Sequence, residues 1–310
     1  MNKPLAKSMS AAQWALLFGL SMLWGASFFL IAVALGGFAP LTLVCLRLSI
    51  AAVLLWILVR LLNKPLPRRA AVWWAFLVMG LFNNAVPFAL ITWGQTQIPS
   101  ALASILNATT PLWTVLVAGL FLSDERINAG KLSGVICGIA GVAMMLGSAS
   151  SDSHPAPLSG QLAIIGAALS YAVSAVFGRR FARWGVSPLV VAAGMCSAAA
   201  LQMLPLVMFV ESPLSLPLPS LRSVGALLVL ALVSTALAYI LYFRLLASAG
   251  ATNIALVTLL VPVWAILLGV LVLGESLHSG HYAGMVLIAL GLSAIDGRLW
   301  RRRPVAGERI

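Results

Sequence analysis

Residues 98–147 read IPSALASILNATTPLWTVLVAGLFLSDERINAGKLSGVICGIAGVAMMLG, and the chain carries this pattern twice. An apolar segment, Ala101–Leu122, holds Asn107, Thr110, Pro111 and Trp113 and ends at Asp124-Glu125-Arg126. A second apolar segment follows, with Gly134, Gly138 and Gly141. From Gly250 to Ile295 the order recurs: Thr258, Pro262 and Trp264 inside an apolar segment, then Gly274-Glu275-Ser276, then Gly284 and Gly291. Pro111 and Trp113 match Pro262 and Trp264 at an offset of 151. Glu125, Gly134 and Gly141 match Glu275, Gly284 and Gly291 at 150, so one residue is deleted at the turn. Five landmarks in the same order mark a duplicated unit.

Composition fixes the solvent. The 310 residues are 62% hydrophobic and only 8% charged. A soluble domain cannot cover its surface with so few charges, so the chain reads as an all-α integral membrane protein whose partner is the lipid bilayer. The net charge of +12 does not indicate nucleic acid, because the basic residues fall in short clusters between apolar spans. Cys45, Cys137 and Cys196 lie inside apolar spans without metal-ligand spacing, so neither a disulfide framework nor a metal is expected.

Ten spans are expected: Gln13–Leu35, Pro40–Leu61, Ala71–Trp93, Ser100–Leu122, Lys131–Gly147, Leu158–Phe177, Pro188–Val210, Ser223–Leu246, Thr252–Leu273 and Gly280–Asp296. They divide into one five-helix unit over residues 12–148 and a second over 158–297, with tails at 1–11 and 298–310. With the N-terminus inside, 17 of the 19 Lys and Arg residues fall in inside segments; Arg222 lies outside and Arg47 within a span. Both termini are therefore expected in the cytoplasm. Five is an odd number, so the second unit enters the membrane from the opposite side. Two inverted five-helix repeats are the architecture of secondary transporters, which work by alternating access around a midplane site.

The run Ile98-Pro99-Ser100-Ala101, Ala108-Thr109-Thr110-Pro111, Asp124-Glu125-Arg126, Gly134, Gly138, Gly141-Val142 resembles the EamA-type domain of the drug/metabolite transporter superfamily. Residues 249–291 resemble a diverged copy, and Leu23-Trp24-Gly25 and Leu46-Arg47 also fit. The resemblance covers Ala12 to Asp296. It implies ten helices in two inverted repeats. It also implies export or exchange of small polar metabolites, often amino acids, across a bacterial inner membrane. Its Pro and Gly positions describe helix packing and do not name the substrate. Drug efflux and metabolite uptake are alternatives, since topology does not set direction.

Polar groups at mid-depth are the candidates for substrate contact, because lipid does not need them. These are Trp24 on the first span, Asn83 and Asn84 on the third, Asn107 and Thr110 on the fourth, Tyr171 on the sixth, and Thr235, Tyr239 and Tyr242 on the eighth. Their faces are expected to line one central cavity, although Ser, Thr and Asn also serve helix packing. Pro87, Pro111 and Pro262 each remove a backbone donor and are candidate hinges. Arg47 is the one charge well inside a span, about 10 Å from its outer end by helical rise. A substrate carboxylate is one role for it, a structural cation or gate another. Glu125 and Glu275 sit at junctions where each is expected to meet the N-terminus of the following helix. No Asp, Glu or His lies at mid-depth, which favours a facilitator or exchanger. A membrane-embedded enzyme lacks a motif here, and no cofactor is expected. A channel fits inverted repeats less well than a carrier.

Overall fold

The computed structural model describes residues 9–122, 129–148, 156–212, 218–254 and 256–296, and these are helical throughout their regular segments. Among the described residues, eight helices are long and apolar enough to cross a membrane. They are α1 Ala11–Ala34, α2 Pro40–Leu61, α3 Ala70–Gly94, α4 Ser100–Phe121, α5 Ala129–Leu146, α6 Leu158–Arg183, α7 Pro188–Glu211 and α8 Leu221–Ala249. Two shorter apolar helices follow, α9 Val257–Leu273 and α10 Ser279–Asp296. Helix α6 runs past its expected end at Phe177, so Arg179, Arg180 and Arg183 form its last turns and complement the carbonyl end of the helix.

The last helices of the two units, α5 and α10, run antiparallel, and glycines report it. A Cβ on Gly134 of α5 would stand 2.5 Å from the carbonyl oxygen of Gly291 on α10, and a Cβ on Gly291 the same distance from that of Gly134. Seven residues on, Gly141 and Gly284 form the same reciprocal contact at 2.7 Å. Residue numbers rise on one helix as they fall on the other. Only a missing side chain lets the backbones approach this closely.

Three helices carry a π-turn: Leu81–Ala85 in α3, Val207–Glu211 in α7 and Leu232–Leu237 in α8. Leu81 and Leu232 are separated by 151 residues, the offset already found between Pro111 and Pro262. The bulges of α3 and α8 therefore occupy equivalent places in the two units. Pro87 lies just beyond the first and lacks an N–H, whereas its counterpart Ala238 has one. Proline is therefore not what the position requires. Nearby hydroxyls satisfy carbonyls at both: Ser170 Oγ donates to Phe82 O at 2.7 Å, and Thr235 Oγ1 to Leu230 O at 2.8 Å.

Two prolines behave differently from expectation. Helix α4 breaks at Ala108-Thr109, and Pro111 enters the second half as an early helical residue, where a missing N–H is harmless. Pro262 lies inside an unbroken α9, which begins at Val257 after a turn at Leu256.

The buried apolar residues form two clusters. One gathers α1, the first half of α4 and α9; the other gathers α2, α3 and α7. Tyr171 of α6 packs against both. Trp24 and Tyr242 pack against the first cluster and Tyr239 against the second.

Candidate functional site

The two equivalent bulges bring the polar groups together. Asn84 and Thr235 correspond at the offset of 151, and so do Phe88 and Tyr239 one turn further on. Each bulge thus presents a polar residue and, four positions later, an aromatic one, on the same helical face.

A directed chain of hydrogen bonds runs through the first set. Asn84 Nδ2 donates to Tyr239 Oη at 3.0 Å, and Tyr239 Oη to Asn83 Oδ1 at 3.3 Å. Asn83 Nδ2 donates to Ser174 Oγ at 2.8 Å, and Ser174 Oγ to Tyr171 O at 2.8 Å. Helices α3, α6 and α8 are joined by this chain. Asn84 also reaches α7, where Cys196 Sγ lies 3.8 Å from Nδ2. Its Oδ1 is buried and has no donor. The second set holds the cation. Arg47 of α2 is 5% exposed. Its Nε donates to Thr235 Oγ1 at 2.7 Å, and its guanidinium carbon stands 4.0 Å from the centroid of the Phe88 ring. This geometry is a cation–π contact. So Asn84 on α3 meets α7 while Thr235 on α8 meets α2, which are corresponding pairs of helices. The chemistry differs: one side ends in a thiol, the other in a guanidinium.

Of the other candidates, Trp24 and Tyr242 pair with each other, ring centroids 5.6 Å apart at 37°. Tyr171 sits between the two apolar clusters. Asn107 and Thr110 do not join the network. Thr110 Oγ1 donates to Asn107 O at 2.7 Å across the break in α4, and Asn107 Oδ1 is buried without a partner. The surface grooves along α2, one lined by Trp56, Arg60 and Lys64, contain none of these residues.

Glu275 does not meet the helix that follows it. Its carboxylate accepts from Ser100 N at 2.7 Å and Ala101 N at 2.9 Å, at the start of α4 in the other unit. The residue before that helix is Pro99, which has no side-chain acceptor, so the glutamate takes the capping role. The sequence reading missed the same device at Glu211. That carboxylate accepts from Leu41 N at 2.8 Å, Thr42 N at 2.7 Å and Thr42 Oγ1 at 2.7 Å, at the start of α2. Ala39 before that helix cannot cap it either. Two helix starts without caps of their own were the available signal. Glu125 lies outside the described residues. Phe88 and Cys196 were also missed; the offset of 151 from Tyr239 could have found Phe88.

Comparisons with known proteins agree with this architecture. The model of the EamA-like transporter family matches residues 11–147 and again 158–295. An uncharacterized inner membrane transporter, YedA of Escherichia coli, is 29% identical over 295 residues, 93% of this chain and 92% of its own length. A probable amino-acid metabolite efflux pump of Salmonella typhimurium is 29% identical over 298 residues, 92% of this chain and 96% of its own. One solved crystal structure, 23% identical, superposes with a TM-score of 0.66 over 95% of this chain and all of its own, and so shares the fold. Both halves of the chain match the same family model, and the antiparallel pairing of the glycine-bearing helices shows how the halves are arranged. The chain belongs to the EamA-like transporter family.

Proposed function

We propose that this transporter moves small polar metabolites, amino acids or related compounds, by alternating access across a bacterial inner membrane, in export or exchange. In this reading the chain spans the membrane ten times as two inverted five-helix repeats, with both termini in the cytoplasm. The observation that carries it is the pair of equivalent π-turns, Leu81–Ala85 and Leu232–Leu237, whose buried Asn84 and Thr235 bond across the two units to Tyr239 and Arg47. Bulges inside long helices free backbone groups and aim polar side chains inward at a cost in stability, and they are found frequently at functional sites. The metabolite class draws support from the relative named a probable amino-acid metabolite efflux pump.

On the topology read from the charges, Glu211 and Glu275 lie at the periplasmic ends of their helices. Their caps on α2 and α4 tie the two repeats together there. This state is then closed to the periplasm, and the opposite state requires both caps to release. The experiment is flux of labelled amino acids in proteoliposomes holding wild type, Asn84→Ala or Tyr239→Ala. Weakened flux at equal reconstitution supports the site. Full flux in both variants places the site elsewhere.

A further inference from the structure

Arg47 is a buried cation with no counter-ion among the described residues. Its Nε is held by a neutral hydroxyl, and the face of the guanidinium lies on Phe88. Its two terminal nitrogens donate to no described residue. The seven carboxylates of the chain stand at 124, 125, 152, 211, 275, 296 and 308, all at span ends or outside the spans. The two that are described with partners, Glu211 and Glu275, are spent on helix starts. A guanidinium taken out of water without an anion is costly, and that cost falls when an anion arrives. Thr235 cannot supply the charge, because its proton goes to Leu230 O and it offers Arg47 only a lone pair.

The same network holds a second unmatched group. Asn84 Oδ1 is an acceptor without a donor among the described residues. Its residue is bonded through Nδ2 to Tyr239, which stands one turn from Thr235 on α8. One cluster therefore offers unused donors on a cation and an unused neutral acceptor.

We infer that the transported solute supplies both partners: a carboxylate that docks on the terminal nitrogens of Arg47, and a neighbouring hydrogen-bond donor that meets Asn84 Oδ1. This inference rests on the carrier reading and narrows its substrate class. Carboxylate-bearing solutes are accepted. Organic cations are rejected, because the site holds an unneutralised positive charge and no acid to balance a second one. A planar fork of donors suits a carboxylate better than a lone ammonium would.

The test compares acids with their decarboxylated amines in wild-type proteoliposomes. Exchange of leucine, phenylalanine, threonine and glutamate is measured beside isoamylamine, 2-phenylethylamine and tetraethylammonium. An acid that exchanges is expected to do so roughly 10- to 100-fold faster than its amine. Arg47→Gln is expected to cut the acid flux by a similar factor and to collapse the acid-to-amine ratio, with Arg47→Lys between the two. Amine exchange at the rate of the acid in wild type overturns the inference but leaves the carrier standing. So does an Arg47→Gln variant that loses both fluxes equally, the behaviour of a merely structural arginine. No exchange of any probe by protein that still shows a cooperative thermal transition overturns the carrier reading, and the inference with it.

Discussion

Nε of Arg47 lies 2.7 Å from Oγ1 of Thr235, and the two residues belong to opposite repeats. The bond crosses from α2 to the π-turn of α8, so it couples the halves at the level of the polar network. Thr235→Val strips the Arg47 Nε of its acceptor and should lower thermal stability in detergent, whereas Arg47→Gln loses the same bond but also relieves a buried charge, so its own effect should be smaller. The double variant should lose less than the sum, by about 1 kcal/mol. Strict additivity would show that the two side chains do not act as a pair.

The caps give a local prediction. Glu275→Ala leaves Ser100 N and Ala101 N without an acceptor. Global stability should fall by about 1 kcal/mol. Amide exchange over residues 100–103 should rise while that over 41–43, capped by Glu211, stays slow. Glu211→Ala should show the converse. Equal exchange at both helix starts in either variant would mean that the caps do not act separately.

Backbone contact between α5 and α10 predicts intolerance to any side chain. In Gly134→Ala the new Cβ meets Gly291 O at 2.5 Å, and in Gly284→Ala it meets Gly141 O at 2.7 Å. Each should cost about 1–3 kcal/mol in detergent unfolding. Gly225→Ala is the control, since a Cβ there meets nothing within 4 Å. It should be neutral or slightly stabilising.

Trp24 and Tyr242 face each other at 5.6 Å beside the network. If these rings line the solute path, Trp24→Ala and Tyr242→Phe should raise the KM of exchange more than they lower its maximal rate. Tyr242→Phe keeps the ring pair and removes only the hydroxyl, so its melting temperature should match wild type. A stability loss in Tyr242→Phe with unchanged KM would assign the hydroxyl to packing.

The fold was legible where its cause is local. Glycines spaced seven apart need only one helix to be read, and their pairing as antiparallel contacts followed from the repeat. The members of the polar cluster were legible in part. Asn83, Asn84, Thr235 and Tyr239 stood out because a polar group at mid-depth is costly anywhere in a span. What joins them was not legible. A π-turn leaves no mark at Thr235, where no proline accompanies it. Pro262 leaves no break in α9, because a continuous helix absorbs one missing donor. Glu211 and Glu275 act on helix starts 169 to 175 residues away, and no local pattern records such a contact. Asn107 and Thr110 were grouped with the other candidates by depth and helical spacing, but α4 breaks between them and the Thr110 hydroxyl bonds Asn107 O.

Trans-stimulation tests the central claim most directly. Labelled amino acid uptake is measured into proteoliposomes that are either empty or loaded with the same unlabelled solute. Alternating access between two inverted repeats predicts saturable uptake that speeds up when the interior is loaded, because the reorienting site returns occupied. Uptake that rises linearly with concentration and ignores the internal solute would contradict it and identify a pore.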